Sequence, residues 1–297
     1  MNFIILRNVA QVMFQDSPLT GGLFLIGIGL ACFVNQEFGI LVCALSCAII
    51  ANFAAFLLRA NLQFIRNGLY GYNAVLIGIA GAVFLRPSAL MASLLVMGAI
   101  LSVLLMYLVL EKAPKKMNFP ALTFPFLLIT WVILSLVQNY FPELKGIPPS
   151  SSSTDVFIQG PLNSFSQVFL LEDSFTGALI LIGLFLTSWL GGFYSLLAVV
   201  LTFLVAYGRG LSPELLGKGL FSYNAILTAI ALGSVFLEKS KEAMIGTIMG
   251  IALTLIYQEF LGDVLAYYEL PTLTAPFVFA VWTILGARML FQRTNTL

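Results

Sequence analysis

The chain is built from an internal duplication. Three blocks of the second half match three blocks of the first half in the same order. The matched pairs are 6–27 with 162–183, 68–76 with 219–227, and 119–134 with 270–285. The last pair agrees at eight of sixteen positions, and the offset changes from 156 to 151 residues along the chain. Three ordered blocks predict two structurally related halves.

The composition indicates a membrane protein. Hydrophobic residues make up 60% of the chain and charged residues 9%, whereas soluble domains carry about 25% charged residues. A net charge of +1 without a basic run argues against a nucleic-acid partner. The three cysteines have apolar neighbours and no metal-ligand spacing, so they are expected to be small buried side chains.

The hydrophobic stretches predict ten membrane spans, because a spanning helix needs roughly 20 mostly apolar residues. The spans lie near 19–35, 38–58, 70–86, 88–110, 121–138, 175–190, 192–208, 222–237, 243–260 and 271–290. Each half has five of them. Since five is odd, the second half must cross the membrane in the opposite orientation to the first.

The basic residues predict the orientation of the chain. With the N-terminus inside, ten of the 14 Lys and Arg residues lie on the inner side and four on the outer side, which is the bias expected for cytoplasmic loops. We therefore expect a multi-pass protein of the cell (inner) membrane with both termini cytoplasmic. Its parts are a first inverted repeat, 1–138, an extracellular or periplasmic connector, 139–161, and a second inverted repeat, 162–297.

Four segments are too short or too polar to cross the membrane on their own. They are 3–19, 59–69, 163–175 and 209–221. Each could lie on the lipid headgroups as an interfacial helix. Their pairing across the two halves favours re-entrant segments that line a transport site.

The repeated Pro-Thr motif supplies candidate pore residues. Inside a helix, Pro125 would free the carbonyl of Ala121 beside the hydroxyl of Thr123. The second copy consists of Pro276, Thr272 and Thr274. A proline kink can be purely structural, with the threonine bonded to its own helix. Two copies near the centre of the duplication favour a pore-lining role.

Two glutamines and two asparagines recur at matched positions. Gln11 and Gln167 lie in the short segments, and a buried amide must find polar partners, so they predict polar cavities. The neighbouring apolar and aromatic residues are explained equally well by ordinary core packing. Asn73 and Asn224 are expected to cap the helices that they begin.

The residues that are missing limit the function. The chain has no histidine, no phosphate-binding loop and no charged residue near the middle of a predicted span. Ion coupling and proton relays need such groups, and an enzyme needs a nucleophile with a base, or a metal cluster. We therefore predict passive movement of a small neutral solute, with no catalytic residue, no metal and no cofactor.

The repeated motifs closely resemble the urea transporter family, in its bacterial branch. They are Gln-Val-Met-Phe at 11–14, Gly-Leu-Tyr-Gly-Tyr-Asn-Ala at 68–74 with its partner at 219–225, and the doubled Leu-Thr-x-Pro-Phe. The resemblance covers nearly the full chain. It implies an all-α polytopic membrane protein with two inverted five-span repeats, each with a re-entrant pore helix, around a central pore. It also implies a homotrimer in membrane lipid, with one urea channel and selectivity filter in each subunit.

The resemblance also implies which residues bind urea. One binding site is Gln11, Val12, Phe14, Tyr72 and Leu76, its counterpart is Gln167, Val168, Leu170, Tyr223 and Leu227, and the constricted middle is Thr123 and Thr274. Positions 11 and 167 both carry glutamine here, whereas some members of the family carry a carboxylate at one of the two positions. Leu170 stands where the first half has an aromatic residue.

The expected activity is channel-like permeation of urea. Urea is flat and uncharged, so a slot between Phe14, Tyr72 and Leu76 would select its shape, while glutamine and backbone oxygens would accept its N–H groups. Two alternatives remain at this point: an ion- or proton-coupled secondary transporter for a small amide, and a channel for another neutral solute.

Overall fold

The computed structural model describes residues 3–113, 119–146, 158–237 and 241–294. Regular structure within these ranges is helical, apart from one isolated bridge between Leu85 and Lys145. The helices of the first half are α1 (Ile4–Gln11), α2 (Pro18–Val34), α3 (Phe38–Leu57), α4 (Leu62–Arg66), α5 (Tyr72–Phe84), α6 (Ala89–Tyr107) and α7 (Phe124–Tyr140). Those of the second half are α8 (Gln159–Ser166), α9 (Ser174–Thr187), α10 (Trp189–Gly208), α11 (Pro213–Gly217), α12 (Tyr223–Ile230), α13 (Lys241–Tyr267) and α14 (Ala275–Thr294).

Short helical extensions complete several of these elements. A π-helical segment, Leu108–Lys112, extends α6, and another, Ala231–Phe236, extends α12. A 3-10 turn, Gln167–Phe169, follows α8, and a second, Pro142–Leu144, follows α7. The order of long and short helices is the same in the two halves.

The helix lengths identify a polytopic membrane protein. Five described helices are long and apolar enough to cross a membrane: α3, α6 with its extension, α10, α13 and α14. The ten apolar stretches of the sequence all coincide with helices, but α5 has only 13 residues. At 1.5 Å per residue it is about 20 Å long, which is shorter than the roughly 30 Å hydrocarbon core of a bilayer.

Local capping fixes where several helices begin. The Asp173 carboxylate accepts a hydrogen bond from the Thr176 N–H at 2.6 Å at the start of α9. In the equivalent place, Ser17 accepts from the Thr20 N–H at 3.4 Å, and Pro18 occupies the first helical position of α2. These residues stabilise helix starts because they satisfy or remove unpaired N–H groups.

Helices α2 and α9 join the two halves through small residues. The Thr20 hydroxyl donates to the Gly183 carbonyl at 3.2 Å, and the Thr176 hydroxyl donates to the Gly27 carbonyl at 2.9 Å. A side chain on Gly27 would lie 3.1 Å from the Thr176 Cα atom. The absence of that side chain lets the helices approach closely, as is typical of helix packing in membranes.

Candidate functional site

The two Pro-Thr motifs meet in the interior of the protein. The hydroxyl oxygens of Thr123 and Thr274 lie 2.6 Å apart and share a hydrogen bond, although 151 residues separate them in sequence. Their side chains are 3% and 4% exposed. Each hydroxyl can donate one hydrogen bond and accept others, so the pair forms an uncharged polar contact between the two halves.

Both threonines stand at the start of a helix. Thr123 directly precedes α7 and Thr274 directly precedes α14. The residues just before them, Leu122 and Leu273, both have a left-handed backbone with φ of 48°. The positive ends of two helix dipoles therefore converge on the threonine pair, and this potential disfavours a cation there.

The expected release of carbonyl groups by the prolines is wrong. Pro125 is the second residue of α7, where a missing N–H costs no helical hydrogen bond. The Ala121 carbonyl accepts from the Phe124 N–H at 3.1 Å, and the Thr272 carbonyl accepts from the Ala275 N–H at 3.1 Å. Each proline marks a helix that begins inside the protein.

Aromatic donors hold the remaining carbonyls of the two motifs. The Tyr72 hydroxyl donates to the Leu122 carbonyl, and the Tyr223 hydroxyl donates to the Leu273 carbonyl at 2.5 Å. The indole N–H of Trp131 donates to the Pro271 carbonyl at 2.8 Å, and that of Trp282 donates to the Pro120 carbonyl at 2.9 Å. The tryptophan bonds cross between the halves, whereas the tyrosine bonds stay within them.

Asn73 caps a helix other than its own. Its side-chain oxygen accepts a hydrogen bond at 3.2 Å from the Phe126 N–H, in the first turn of α7. Asn224, at the matched position, donates from its side-chain nitrogen to the Leu273 carbonyl at 3.1 Å. The prediction that each asparagine caps the helix it begins is therefore wrong, because Asn73 accepts from an N–H of a neighbouring helix and Asn224 donates to a carbonyl.

The first predicted binding site surrounds the end of α1. Gln11 ends this helix and is half-buried, Val12 is buried, and Phe14 has a left-handed backbone with φ of 62°. The Phe14 ring packs edge-on against Phe236 at 5.9 Å and Phe277 at 6.0 Å between ring centroids. Both partners belong to the second half. The three rings, Phe14, Phe236 and Phe277, are called the aromatic wall below, and the two halves share it.

Phe236 and Phe277 were not predicted from the sequence to form part of this wall. Phe277 follows Pro276 in the repeated motif, so the motif carried a signal for it. Phe236 ends a π-helical segment, and such segments often occur at functional sites. The sequence around Phe236 gave no sign of this local change in helix geometry.

The second predicted site has a similar backbone but fewer aromatic groups. Gln167 and Val168 lie in the 3-10 turn after α8 and are buried. Leu170 has φ of 56° and is half-buried, in the place equivalent to Phe14. The adjacent Phe169 faces Phe24 at 5.9 Å. Phe169 therefore packs against α2 and does not occupy the place of Phe14.

The last two predicted residues are enclosed in the core. Leu76 and Leu227 lie one turn beyond Tyr72 and Tyr223, on α5 and α12, and both are fully buried. In the ranges the structure describes, no cluster of three or more His, Cys, Asp or Glu residues could hold a metal ion. The twelve predicted site residues are all uncharged.

The chain is similar to known proteins along nearly its whole length. Residues 3–289 match the sequence profile of the urea transporter family. The chain belongs to the urea transporter family. It is 25% identical to urea transporter 1 of Mus musculus over 306 residues, which covers 98% of this chain and 76% of the mouse protein. Urea transporter 1 of Rattus norvegicus shares 25% identity, with 98% and 76% coverage, and that of Capra hircus shares 25%, with 93% and 74% coverage.

The match to the urea transporter family includes every predicted site residue. The matched region begins before Gln11 and ends after Thr274. The family assignment made from the repeated motifs is confirmed, and placement in the bacterial branch stays a prediction.

Proposed function

We propose that this member of the urea transporter family conducts urea passively across the membrane, through a narrow uncharged path that passes between Thr123 and Thr274. The observation that carries this proposal is the hydroxyl pair itself. It is polar, buried and neutral, and it lies where two helices begin inside the protein.

Urea fits the chemistry of the groups on either side of the pair. It has four N–H donors and one carbonyl acceptor in a single plane. The amide oxygen of Gln11 or Gln167 accepts N–H groups, and the carbonyl end of α1, which is the negative end of that helix, does the same. The flat face of urea packs against the Phe14 ring.

The threonine pair sets the central step of permeation. At 2.6 Å the two hydroxyls touch, so urea must exchange their mutual hydrogen bond for bonds of its own. The exchange leaves no hydroxyl unpaired, because the urea N–H groups donate to the hydroxyl oxygens and the urea carbonyl accepts from a hydroxyl hydrogen. A monovalent cation gains less at this point, since two positive helix ends face it.

We further propose that the halves are inverted repeats, 1–138 and 162–297, joined by an outer connector, 139–161. The repeated helix order, the reciprocal α2–α9 contacts and the bias of basic residues support this arrangement. In it, α1 and α8 are re-entrant, both termini are cytoplasmic, and the ten predicted spans cross the cell (inner) membrane. The family resemblance supports a homotrimer with one pore in each subunit.

A flux assay tests the proposal. The purified protein is reconstituted in liposomes, and urea entry is followed by stopped-flow light scattering before and after ionophores collapse the proton and sodium gradients. We expect fast urea flux that the ionophores leave unchanged. Flux that stops when the gradients collapse would show a coupled transporter, and flux equal to that of empty liposomes would refute urea conduction.

A further inference from the structure

Two reciprocal hydrogen bonds connect the halves beside the threonine pair. Trp131 and Trp282 occupy matched positions, each eight residues after its own threonine. Each indole N–H reaches the proline carbonyl that lies three residues before the opposite threonine, at 2.8 and 2.9 Å. Eight residues are about two helical turns, so each tryptophan lies about two turns along the helix that its own threonine precedes.

We propose that Trp131 and Trp282 are positioning residues for urea permeation: each holds the segment that carries the opposite threonine and so sets the separation of the two hydroxyls. The proposal rests on the proposed function and names residues that act through the threonine pair.

The two bonds differ in their surroundings. The Trp282 ring also packs against Phe124 at 5.3 Å and Phe279 at 6.1 Å between centroids. At the matched positions in the other half stand Ala275 and Leu128, which have no ring. Trp282 therefore keeps ring contacts when its N–H is lost, whereas Trp131 depends more on its hydrogen bond.

Substitution by phenylalanine removes the N–H and keeps an aromatic ring. The third tryptophan, Trp189, is exposed at the start of α10 and serves as the matched control. For Trp131→Phe, Trp282→Phe and Trp189→Phe in liposomes, the measured quantity is the ratio of urea permeability to N,N′-dimethylurea permeability. Thermal unfolding in detergent identifies variants that do not fold.

We expect Trp131→Phe to lower this ratio roughly 3- to 10-fold, the range that follows from losing one buried hydrogen bond. Trp282→Phe lowers it about twofold because ring contacts remain, and Trp189→Phe leaves it unchanged. If Trp131→Phe does not fold, the twofold change in Trp282→Phe decides the question. A folded Trp131→Phe with the wild-type ratio would overturn the proposal.

A double-mutant cycle separates positioning from general packing. If Trp131 acts through the hydroxyl pair, Trp131→Phe changes the ratio far less in a Thr123→Val background than in the wild type. Equal changes in both backgrounds would contradict positioning and indicate an independent packing role. Wild-type protein without urea flux would instead refute the proposed function, and the inference would fall with it. If the wild type conducts urea but Trp131→Phe and Trp282→Phe both keep the wild-type permeability ratio, only the positioning role of the tryptophans is refuted.

Discussion

Phe14 and Leu170 occupy matched positions in the two halves, and both have a left-handed backbone, with φ of 62° and 56°. Their surroundings differ, however. Phe14 contacts two rings of the opposite half, whereas Leu170 is aliphatic and its neighbour Phe169 packs against α2. At this position the backbone conformation is similar in the two halves, whereas the side chains and their contacts differ.

At the threonine pair and the two tryptophans, the molecule has kept both backbone and side chains. Thr123 contacts Thr274, its own counterpart, and the two tryptophans make exchanged bonds of nearly equal length. A residue that contacts its own counterpart cannot change without affecting both halves. The comparison indicates that the central contacts limit divergence, while each end of the proposed path can adapt separately.

The largest effect is expected where a glycine of each half contacts a backbone carbonyl. A Cβ atom on Gly21 would lie 1.8 Å from the Leu6 oxygen, and one on Gly177 would lie 1.9 Å from the Leu162 oxygen. We expect Gly21→Ala and Gly177→Ala each to destabilise the protein by about 3 kcal/mol or more, measured by thermal unfolding in detergent.

Gly22→Ala is the control for these two variants, because a Cβ atom there has no neighbour within 4 Å. We expect it to be neutral or slightly stabilising. If only one of the two clashing variants loses stability, the halves are not equivalent in their α1–α2 and α8–α9 packing.

The next effect concerns the threonine pair. Thr123→Val and Thr274→Val preserve shape but leave the opposite hydroxyl buried without its partner, at a cost of about 1–3 kcal/mol. We expect each variant to reduce urea flux about tenfold in the stopped-flow assay, by similar factors. Thr130→Val is the control, since the buried Thr130 hydroxyl has no hydrogen-bond partner within the described ranges. If the two variants reduce urea flux by strongly unequal factors, the two threonines are not equivalent.

A smaller effect is expected at the aromatic wall. Phe14→Leu makes the first half resemble the second and removes two edge-on ring contacts. Each such contact contributes about 0.5–1.5 kcal/mol. We expect the permeability ratio of urea to the rounder solute glycerol to fall roughly threefold, while exposed Phe53→Leu leaves it unchanged. Leu170→Phe should raise the ratio only if the second side has room for a ring.

The smallest effect is expected at an exposed ion pair between the connector and the second half. Lys145 and Gln138 donate to the Glu269 carboxylate at 2.8 and 3.0 Å. These bonds hold the pKa of Glu269 below its ordinary value. The two bonds therefore stabilise the folded protein at pH values above the ordinary glutamate pKa. This stabilisation is lost as pH falls through the lowered pKa of Glu269.

Glu269→Gln consequently tests this weak contact. At neutral pH we expect a slight decrease in unfolding temperature, because exposed pairs are well screened. The difference from the wild type should disappear at a pH below the lowered pKa. A large decrease at neutral pH would mean that the Lys145 contact helps to hold the connector against the second half.

Much of the helical layout could be predicted from the sequence. The ten apolar stretches each coincide with a helix, although only five of these helices are long and apolar enough to cross a membrane, and the repeated motif identified the two threonines that meet. The role of Pro125 could not be predicted, because a proline is compatible with a kink as well as with the first turn of a helix. The sequence placed α7 three residues too early for that reason.

Contacts between distant segments could not be predicted from the sequence. Trp131 lies 140 residues from the carbonyl that it binds, and the repeat alone does not show that the bond crosses between halves. Phe236, which ends a π-helical segment, contacts Phe14 from the opposite half. Asn73 likewise caps a helix that begins more than 50 residues later.

The most direct test is an experimental structure determined with bound urea. The account predicts urea beside Gln11 and Phe14 on one side of the threonine pair and beside Gln167 and Leu170 on the other, with the two halves in opposite orientations across the membrane. Urea bound elsewhere, with Thr123 and Thr274 facing lipid or with both halves in the same orientation, would contradict it.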